Sequence, residues 1–383
     1  MNEDSPHLTL YVHIPFCVRK CPYCDFYSVP DTRIGEQQPY LHRILTELQY
    51  QRHWTQNDPR PLHAIFFGGG TPSLMHPNTI QTILSTIQTQ WKLTRDCEIT
   101  LEANPESCTP QKITAWMEAG INRISLGVQA LNNERLKQLG RPHDRAEALQ
   151  ALHHLQTSGI QQINVDLIHS TPGQTWESWQ QELSEAASWE VGHLSCYALT
   201  LEPDTPYHTR YTQGKLHLPE EEEALTLFVN TRKFLSTRGY PPYEVSNFAK
   251  PGQECRHNLN YWEYGDYLGI GASAHGKWTD STGQIWRTAN PADLHTYLHH
   301  PLPPPEPLPK DLAGIEWLLM GLRLTRGLRL NRYRDITGHD LLRNTHEIIQ
   351  HRVADGLLAL DDIYLRVTEQ GFPLLNTLLS ELI

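Results

Sequence analysis

The chain of 383 residues has no run of Lys or Arg longer than two, and its net charge is −11. Phosphate backbones are bound by clustered cations, so nucleic acid is a poor partner for this composition. No apolar run approaches the ~18 residues that cross a bilayer. The opening MNEDSPHLTL is acidic and lacks the basic segment followed by an apolar one that marks a secretory signal. Seven cysteines, an odd count without such a signal, argue against a disulfide framework. The chain is therefore expected in the cytoplasm, where thiols stay reduced. Beyond alternating strand and helix patterns, no repeat of ~20–50 residues is visible.

What the chain does have is three cysteines within eight residues: Cys17, Cys21 and Cys24, in YVHIPFCVRKCPYCDFYS. Three thiolates hold three corners of a 4Fe-4S cube and leave the fourth iron open to a small molecule, whereas full protein ligation takes four. A structural zinc site pairs two close Cys or His couples across a longer loop. No second couple stands at that spacing, and Cys97, Cys108, Cys196 and Cys255 are scattered singly. Of the 21 histidines, His153-His154 and His299-His300 follow no ligand spacing.

A length of 383 residues with 39% hydrophobic content suits one large α/β barrel with an appendage, or two domains. Strands are expected near Leu8–Ile14, Ala64–Phe67, Glu98–Glu102, Arg123–Val128, Gln162–Ile168 and His193–Ala198. Between them Leu41, Ile44, Leu45 and Leu48 form an apolar helical stripe. Ile80, Ile83, Leu84, Ile87 and Trp91 form a second, and Ala148, Leu149, Leu152 and Leu155 a third. Gly120 and Gly159 close helices. Six strand–helix units suggest a parallel sheet curling into a partial (β/α)6 barrel, with a doubly wound open sheet as the alternative. In either case the strand C-termini face the site. Glu220–Phe234 reads as a further helix. Pro301–Pro309, with six prolines in nine residues, reads as a stiff connector. Beyond it, a small α+β module is expected: a helix at Leu312–Leu322, two strands around Leu357–Val367 and a last helix at Phe372–Leu382.

Tyr11-x-His13-Ile14-Pro15-Phe16-Cys17 through Cys24-Asp25-Phe26 resembles the cluster loop of radical S-adenosylmethionine (SAM) proteins, within the HemN/HemW branch. The resemblance spans nearly the whole chain. It implies a 4Fe-4S cluster on Cys17, Cys21 and Cys24, with SAM chelating the open iron and cleaved by an electron to a 5′-deoxyadenosyl radical. Gly68-Gly69-Gly70-Thr71-Pro72-Ser73 follows an apolar strand, and its glycines permit close approach of a ligand. It lacks the Gly-Lys-Ser/Thr ending of a P-loop, and by resemblance Gly69, Gly70 and Thr71 line the SAM amino group. Glu102, Asn104, Gln129, Arg141 and Asp166 are also SAM residues by resemblance. Carboxylates suit ribose hydroxyls, and a guanidinium suits the methionine carboxylate. Each alone reads equally as a salt-bridged residue at a barrel mouth. Tyr11 and Tyr23 flank the cluster and either pack on it or on adenine, or are plain core aromatics.

Two features discriminate within the branch. Phe26 stands where the coproporphyrinogen III dehydrogenases carry a fourth cysteine, and only ten residues precede Tyr11, where those enzymes have a covering arm. Both disfavour decarboxylation. His257-Asn258-Leu259-Asn260-Tyr261-Trp262 matches an H-N-x-x-Y-W pattern linked by the resemblance to heme. His257 offers an imidazole to iron, with Cys255 a weaker candidate, and Asn258, Tyr261 and Trp262 accompany it. If helical, His257 and Tyr261 share a face. The plainer alternative is a packed loop with core aromatics. The neighbouring YEVSNFA is typical of the branch and has no role evident from sequence. The expectation is a cluster- and SAM-bearing heme chaperone handing heme to an acceptor protein, a respiratory enzyme being the candidate, at the inner membrane face. The alternatives are a coproporphyrinogen III dehydrogenase or another radical SAM enzyme. The catalytic residues and oligomeric state stay open. Residues 1–235 are expected to form the cofactor core, 236–310 a covering segment and 311–383 the small C-terminal module.

Overall fold

A computed structural model describes residues 7–30 and 36–383; the acidic opening at 1–6 lies outside the described residues. Six strand–helix units alternate along the first part of the chain. The strands are β1 (Leu8–Ile14), β2 (Leu62–Gly69), β3 (Leu93–Ala103), β4 (Arg123–Gln129), β5 (Gln162–His169) and β6 (His193–Ala198). The helices are α1 (Gln37–Trp54), α2 (Pro77–Gln90), α3 (Pro110–Ala119), α4 (Arg145–Ser158), α5 (Trp176–Ser188) and α6 (Glu221–Thr237).

β1 through β6 lie side by side in chain order, and every neighbouring pair is parallel. The order never reverses. A doubly wound sheet would reverse at its switch point, so the open-sheet alternative is set aside and the partial barrel stands. The expected stripes form the helix–sheet core: Leu41, Ile44 and Leu48 of α1, Ile80, Ile83, Leu84 and Ile87 of α2, and Ala148, Leu152 and Leu155 of α4 are all buried. Each fully buried Leu or Ile contributes ~1.5–3 kcal/mol. Gly120 (φ +109°) and Gly159 (φ +82°) end α3 and α4 in the left-handed conformation, which a side chain would disfavour.

Residues 236–310 contribute five further strands to this sheet: β7 (Asn247–Ala249), β8 (Asp266–Ile270), β9 (His275–Thr279), β10 (Ile285–Ala289) and β11 (Glu306–Pro307). β7 runs antiparallel to β6 on one edge, and β8 pairs parallel with β1 on the other side. β9, β10 and β11 continue outward antiparallel, so the proline-rich connector ends as an edge strand. An edge tolerates Pro307, which has no N–H to donate. These strands escape a periodicity reading because they are only two to five residues long, and glycine interrupts β8 and β9. A Cβ on Gly269 would lie 2.0 Å from the His275 carbonyl oxygen, so the β8–β9 approach requires glycine there.

A short helix, α7 (Arg256–Trp262), precedes β8, and the C-terminal module begins with the expected helix, α8 (Lys310–Gly321). The expected strand pair forms as β13 (Leu358–Leu360) and β14 (Tyr364–Val367), joined by β12 (Leu328–Arg329). Trp317, Leu318, Leu365, Phe372 and Leu378 make its core, which continues into Tyr264 and Ile285 of the main body.

The β8–β9 seam is pinned by Asp266, which is fully buried. Its carboxylate meets Lys277 Nζ at 2.7 Å and Arg60 Nη1 at 2.8 Å, and accepts from Thr279 Oγ1 at 2.9 Å. Burial alone would raise its pKa, but Lys277 and Arg60 hold it down at about 2. Asp266→Ala leaves Lys277 buried without its partner and is expected to cost ~3–5 kcal/mol by denaturant unfolding. The ionised carboxylate stabilises the fold above its ordinary pKa of 3.8, and that contribution is lost as pH falls toward about 2. Acid titration of the Asp266→Asn variant should lack this step.

Candidate cofactor site at the strand ends

The cluster loop leaves β1 at Ile14. It is closed on itself by a short parallel ladder of Phe16–Cys17 with Val29–Pro30. The glycine loop after β2 lies against it: Gly70 N–H donates to the Ile14 carbonyl at 2.7 Å and Thr71 N–H to the Phe16 carbonyl at 2.8 Å. The loops thereby set donors on the sulfurs. Thr71 Oγ1 donates to Cys17 Sγ at 3.4 Å, and Arg141 Nη1 to Cys21 Sγ at 3.6 Å. Burial raises the Cys17 thiol, with Thr71 and Ser28 hydroxyls drawing it back. Burial likewise pushes Cys24 up to about 11, opposed by the Phe26 backbone N–H. Among the described residues no three His, Cys, Asp or Glu side chains converge as a site for one metal ion. A cube offers each thiolate its own iron, so three separated sulfurs with aimed donors fit a 4Fe-4S group.

The glycine motif is enforced by its neighbours. Gly69 sits at φ +112°, and a Cβ there would fall 2.5 Å from the His13 ring. Its N–H donates to Glu102 Oε2 at 3.1 Å. The His13 ring is held between Tyr11 Oη at 3.0 Å and the Tyr27 carbonyl at 2.9 Å. Burial lowers its pKa to about 4, so the imidazole is neutral near pH 7.

Asn104 joins this loop to the cation: its Nδ2 donates to Thr71 Oγ1 at 3.3 Å, and its Oδ1 accepts from Arg141 Nη2 at 2.5 Å. Arg141 Nη2 also reaches the Gly127 carbonyl at 3.2 Å, while its buried Nε has no partner. An orphaned guanidinium N–H beside three thiols fits a carboxylate-bearing cofactor. The three cysteines, Tyr23, the Gly69–Thr71 loop, Asn104 and Arg141 line one cavity of about 60 Å³. Tyr23 also meets Tyr207 edge-on at 6.3 Å.

Glu102, Gln129 and Asp166 are not in that lining; Glu102 and Gln129 stand at the ends of β3 and β4, and Asp166 lies within β5. Gln129 follows a register shift in β4 and adopts φ +68°, a strained conformation of ~1–3 kcal/mol for a residue with a side chain. Asp166 accepts from Ser125 Oγ at 3.0 Å and Asn164 Nδ2 at 2.7 Å. Burial, then the nearby Asp166 charge, raises Glu102 to about 8.

His257–Trp262 is helical, within α7. The first N–H groups of α7 are held by Glu98 on β3: Arg256 N donates at 3.2 Å, His257 N at 3.3 Å and Cys255 Sγ at 3.4 Å. A carboxylate at a helix N-terminus is favourable, and Arg123 Nε stands 3.9 Å from it in a fully buried pair. Burial pushes Cys255 up to about 12. Asn260 Nδ2 adds a bond to Thr9 Oγ1 at 3.0 Å.

α7 divides its residues between two sides. His257 is 3% exposed. It stacks on Phe66 at 4.9 Å and on Tyr11 at 6.1 Å, with Tyr261 edge-on at 4.8 Å. Its Nδ1 has no partner, and burial lowers its pKa to about 3. Asn258, Tyr261 and Trp262 instead line a cavity of about 420 Å³, closed by Tyr197, Glu244–Asn247, Met320 and Arg323. YEVSNFA thus supplies a cavity wall and then β7. The sequence reading gives Glu98, Arg123, Met320 and Arg323 no functional or structural role, because no motif or spacing marks them.

Residues 11–186 match the radical SAM superfamily model, and residues 308–374 the HemN C-terminal domain model. The chain is 37% identical to the heme chaperone HemW of Haemophilus influenzae, across 98% of this chain and 97% of the relative. It is 36% identical to the HemW of Escherichia coli K12, across 98% of both. It is also 34% identical to mouse mitochondrial radical S-adenosyl methionine domain-containing protein 1, across 100% of this chain and 88% of that protein. The solved coproporphyrinogen III oxidase (HemN) of Escherichia coli, described as a radical SAM enzyme, has a TM-score of 0.80 at 23% identity. That likeness covers 98% of this chain and 90% of the other, and concerns the fold.

Glu102 has a raised pKa, so the fold loses stability as pH climbs from 4.5 toward about 8 in the cofactor-free protein. Glu102→Gln still accepts the Gly69 N–H and should flatten this decline in melting temperature. Glu98→Ala should cost ~3–5 kcal/mol by leaving Arg123 buried and unpaired, read by denaturant unfolding.

Proposed function

Because the chain belongs to the HemW family of radical SAM proteins, with a relative 37% identical along almost its whole length, we propose that it is a heme chaperone, binding heme and passing it to an acceptor protein. The near-complete coverage of proteins named as heme chaperones carries this reading. The acceptor we favour is a respiratory enzyme, met by a cytoplasmic protein at the inner membrane face. Among the described residues no helix is long and apolar enough to cross a membrane.

In this proposal Cys17, Cys21 and Cys24 hold the 4Fe-4S cluster, and Gly69, Gly70, Thr71, Glu102, Asn104, Gln129, Arg141 and Asp166 receive SAM, flanked by Tyr11 and Tyr23. When bound, the cluster supplies a one-electron reductant for SAM. The chain's own contribution is positional. Thr71 and Arg141 direct donors at the sulfurs, Asn104 couples them, and the neutral Glu102 accepts the Gly69 N–H without adding a second charge beside Asp166. Residues 1–235 form the cofactor core, 236–310 the cover and 311–383 the HemN-like module. Heme is assigned to α7. Asn258, Tyr261 and Trp262 face the open cavity, whereas His257 offers iron a neutral imidazole if the ligand reaches past Tyr261. Phe26 is 65% exposed beside the cysteines, with no thiol where the decarboxylating enzymes carry one.

Titrating heme into the anaerobically reconstituted protein should give saturable binding near one per chain, with a Soret shift. His257→Ala should weaken it and alter that shift if His257 ligates iron. An unchanged spectrum with a lower melting temperature would make His257 a packing residue. Conversion of coproporphyrinogen III to protoporphyrinogen IX with SAM and a reductant would sink the chaperone reading. Replacing Cys17, Cys21 or Cys24 by Ala should strip iron and sulfide from the reconstituted protein, measured by elemental analysis.

A further inference from the structure

The cavity of about 420 Å³ between the end of β6, α7 and the C-terminal module shares no lining residue with the cavity at the thiols. Its size falls in the range of small-molecule sites. Tyr197, Tyr261 and Trp262 make part of the wall flat and apolar, with Met320 beside them. Arg323 sits just past α8 with its guanidinium 6.0 Å from the Trp262 ring centre. It is half-buried, and its Nη1 donates only to the Leu319 carbonyl one turn back. Among the described residues no carboxylate forms an ion pair with it. Burial lowers its pKa, opposed by the Glu244 charge. Glu244 itself is 2% exposed, and its Oε1 is taken by the Ser246 N–H at 3.0 Å. The buried Trp262 Nε1 likewise has no partner. An unpaired cation and an orphaned N–H on the rim of an aromatic slot complement one kind of molecule, a flat apolar ring with an acid at its edge. Arginine pairs such acids through two parallel N–H bonds.

We propose that Arg323 anchors heme in this cavity and selects for an ionised edge, by pairing one propionate carboxylate while the Tyr261–Trp262 pair lies along the macrocycle. The assignment rests on the chaperone reading, which already places heme at α7, and adds to it an anchoring residue. His257, on the opposite side of Tyr261, is not needed to hold the ring.

Hemin and its dimethyl ester, whose propionates cannot ionise, separate the two readings. Each is titrated into the reconstituted full chain as wild type, Arg323→Gln, Arg323→Lys and Ser246→Trp. Wild type should bind hemin about tenfold or more tightly than the ester. Arg323→Gln should bring hemin down to the level of the ester and leave the ester unchanged, and Arg323→Lys should restore part of the difference. Ser246→Trp, which fills the cavity, should weaken both ligands. Equal binding of hemin and ester by wild type would overturn the Arg323 pairing, and full binding by Ser246→Trp would overturn the placement in this cavity; either leaves the chaperone reading intact. Binding of neither ligand by wild type would remove both. If Arg323→Gln fails to fold by its melting curve, the wild-type ratio of hemin to ester decides.

Discussion

Parallel pairing of β1 through β6 in chain order imposes a single polarity on the sheet. All six C-terminal ends open on one rim, and each successive loop lands beside the last. The cluster loop after β1 can therefore lie against the glycine loop after β2, and Asn104 after β3 can reach both Thr71 and Arg141. Had the strand order reversed, those loops would project from separate edges, and the thiols, glycines and guanidinium could not line one cavity. The close fit of loop on loop is then purchased with glycine: at Gly69 the left-handed backbone and the adjacent His13 ring leave no room for a side chain.

Buried charge supplies the second layer of order. Asp266 with Lys277 and Arg60 joins the outer strands to β2's approach, and Glu98 with Arg123 fixes the start of α7. Such pairs add little net stability against apolar packing, but breaking one partner is costly, so they specify where an element docks. Glu98 is the clearer case. Three donors at the head of α7 converge on it, and that orientation sends His257 inward to Tyr11 and Phe66 while Asn258 and Trp262 face the cavity. The same helix thus touches the cofactor core and the cavity under the C-terminal module, a physical link between the two through Tyr261.

Much of the fold was legible in advance. The six strands, the apolar stripes of α1, α2 and α4, the capping glycines and the C-terminal strand pair all follow from periodicity and turn chemistry, which act over a few residues. β7 through β10 were not legible, because each is at most five residues long and the glycines of β8 and β9 reflect close strand approach and not a local preference. Among the site residues, the Cys17, Cys21 and Cys24 spacing and the Gly68–Ser73 run stand out because their chemistry is compressed into one loop each. Arg141 and Asn104 could be nominated through resemblance, but their bond to each other could not be read from positions 37 residues apart.

By itself the sequence determined the local matters: three thiols in eight residues, the turn that glycine permits, the H-N-x-x-Y-W spacing, and the absence of basic clusters. Only the tertiary structure decided which of those groups meet and which way they face. It set His257 inside and Asn258, Tyr261 and Trp262 outside, and it brought Arg323 to within 6.0 Å of Trp262 from 61 positions further along the chain. The reason is physical. Spacing governs what one element can present, whereas burial, loss of a counter-ion and an orphaned N–H arise only when separate elements close around a common volume.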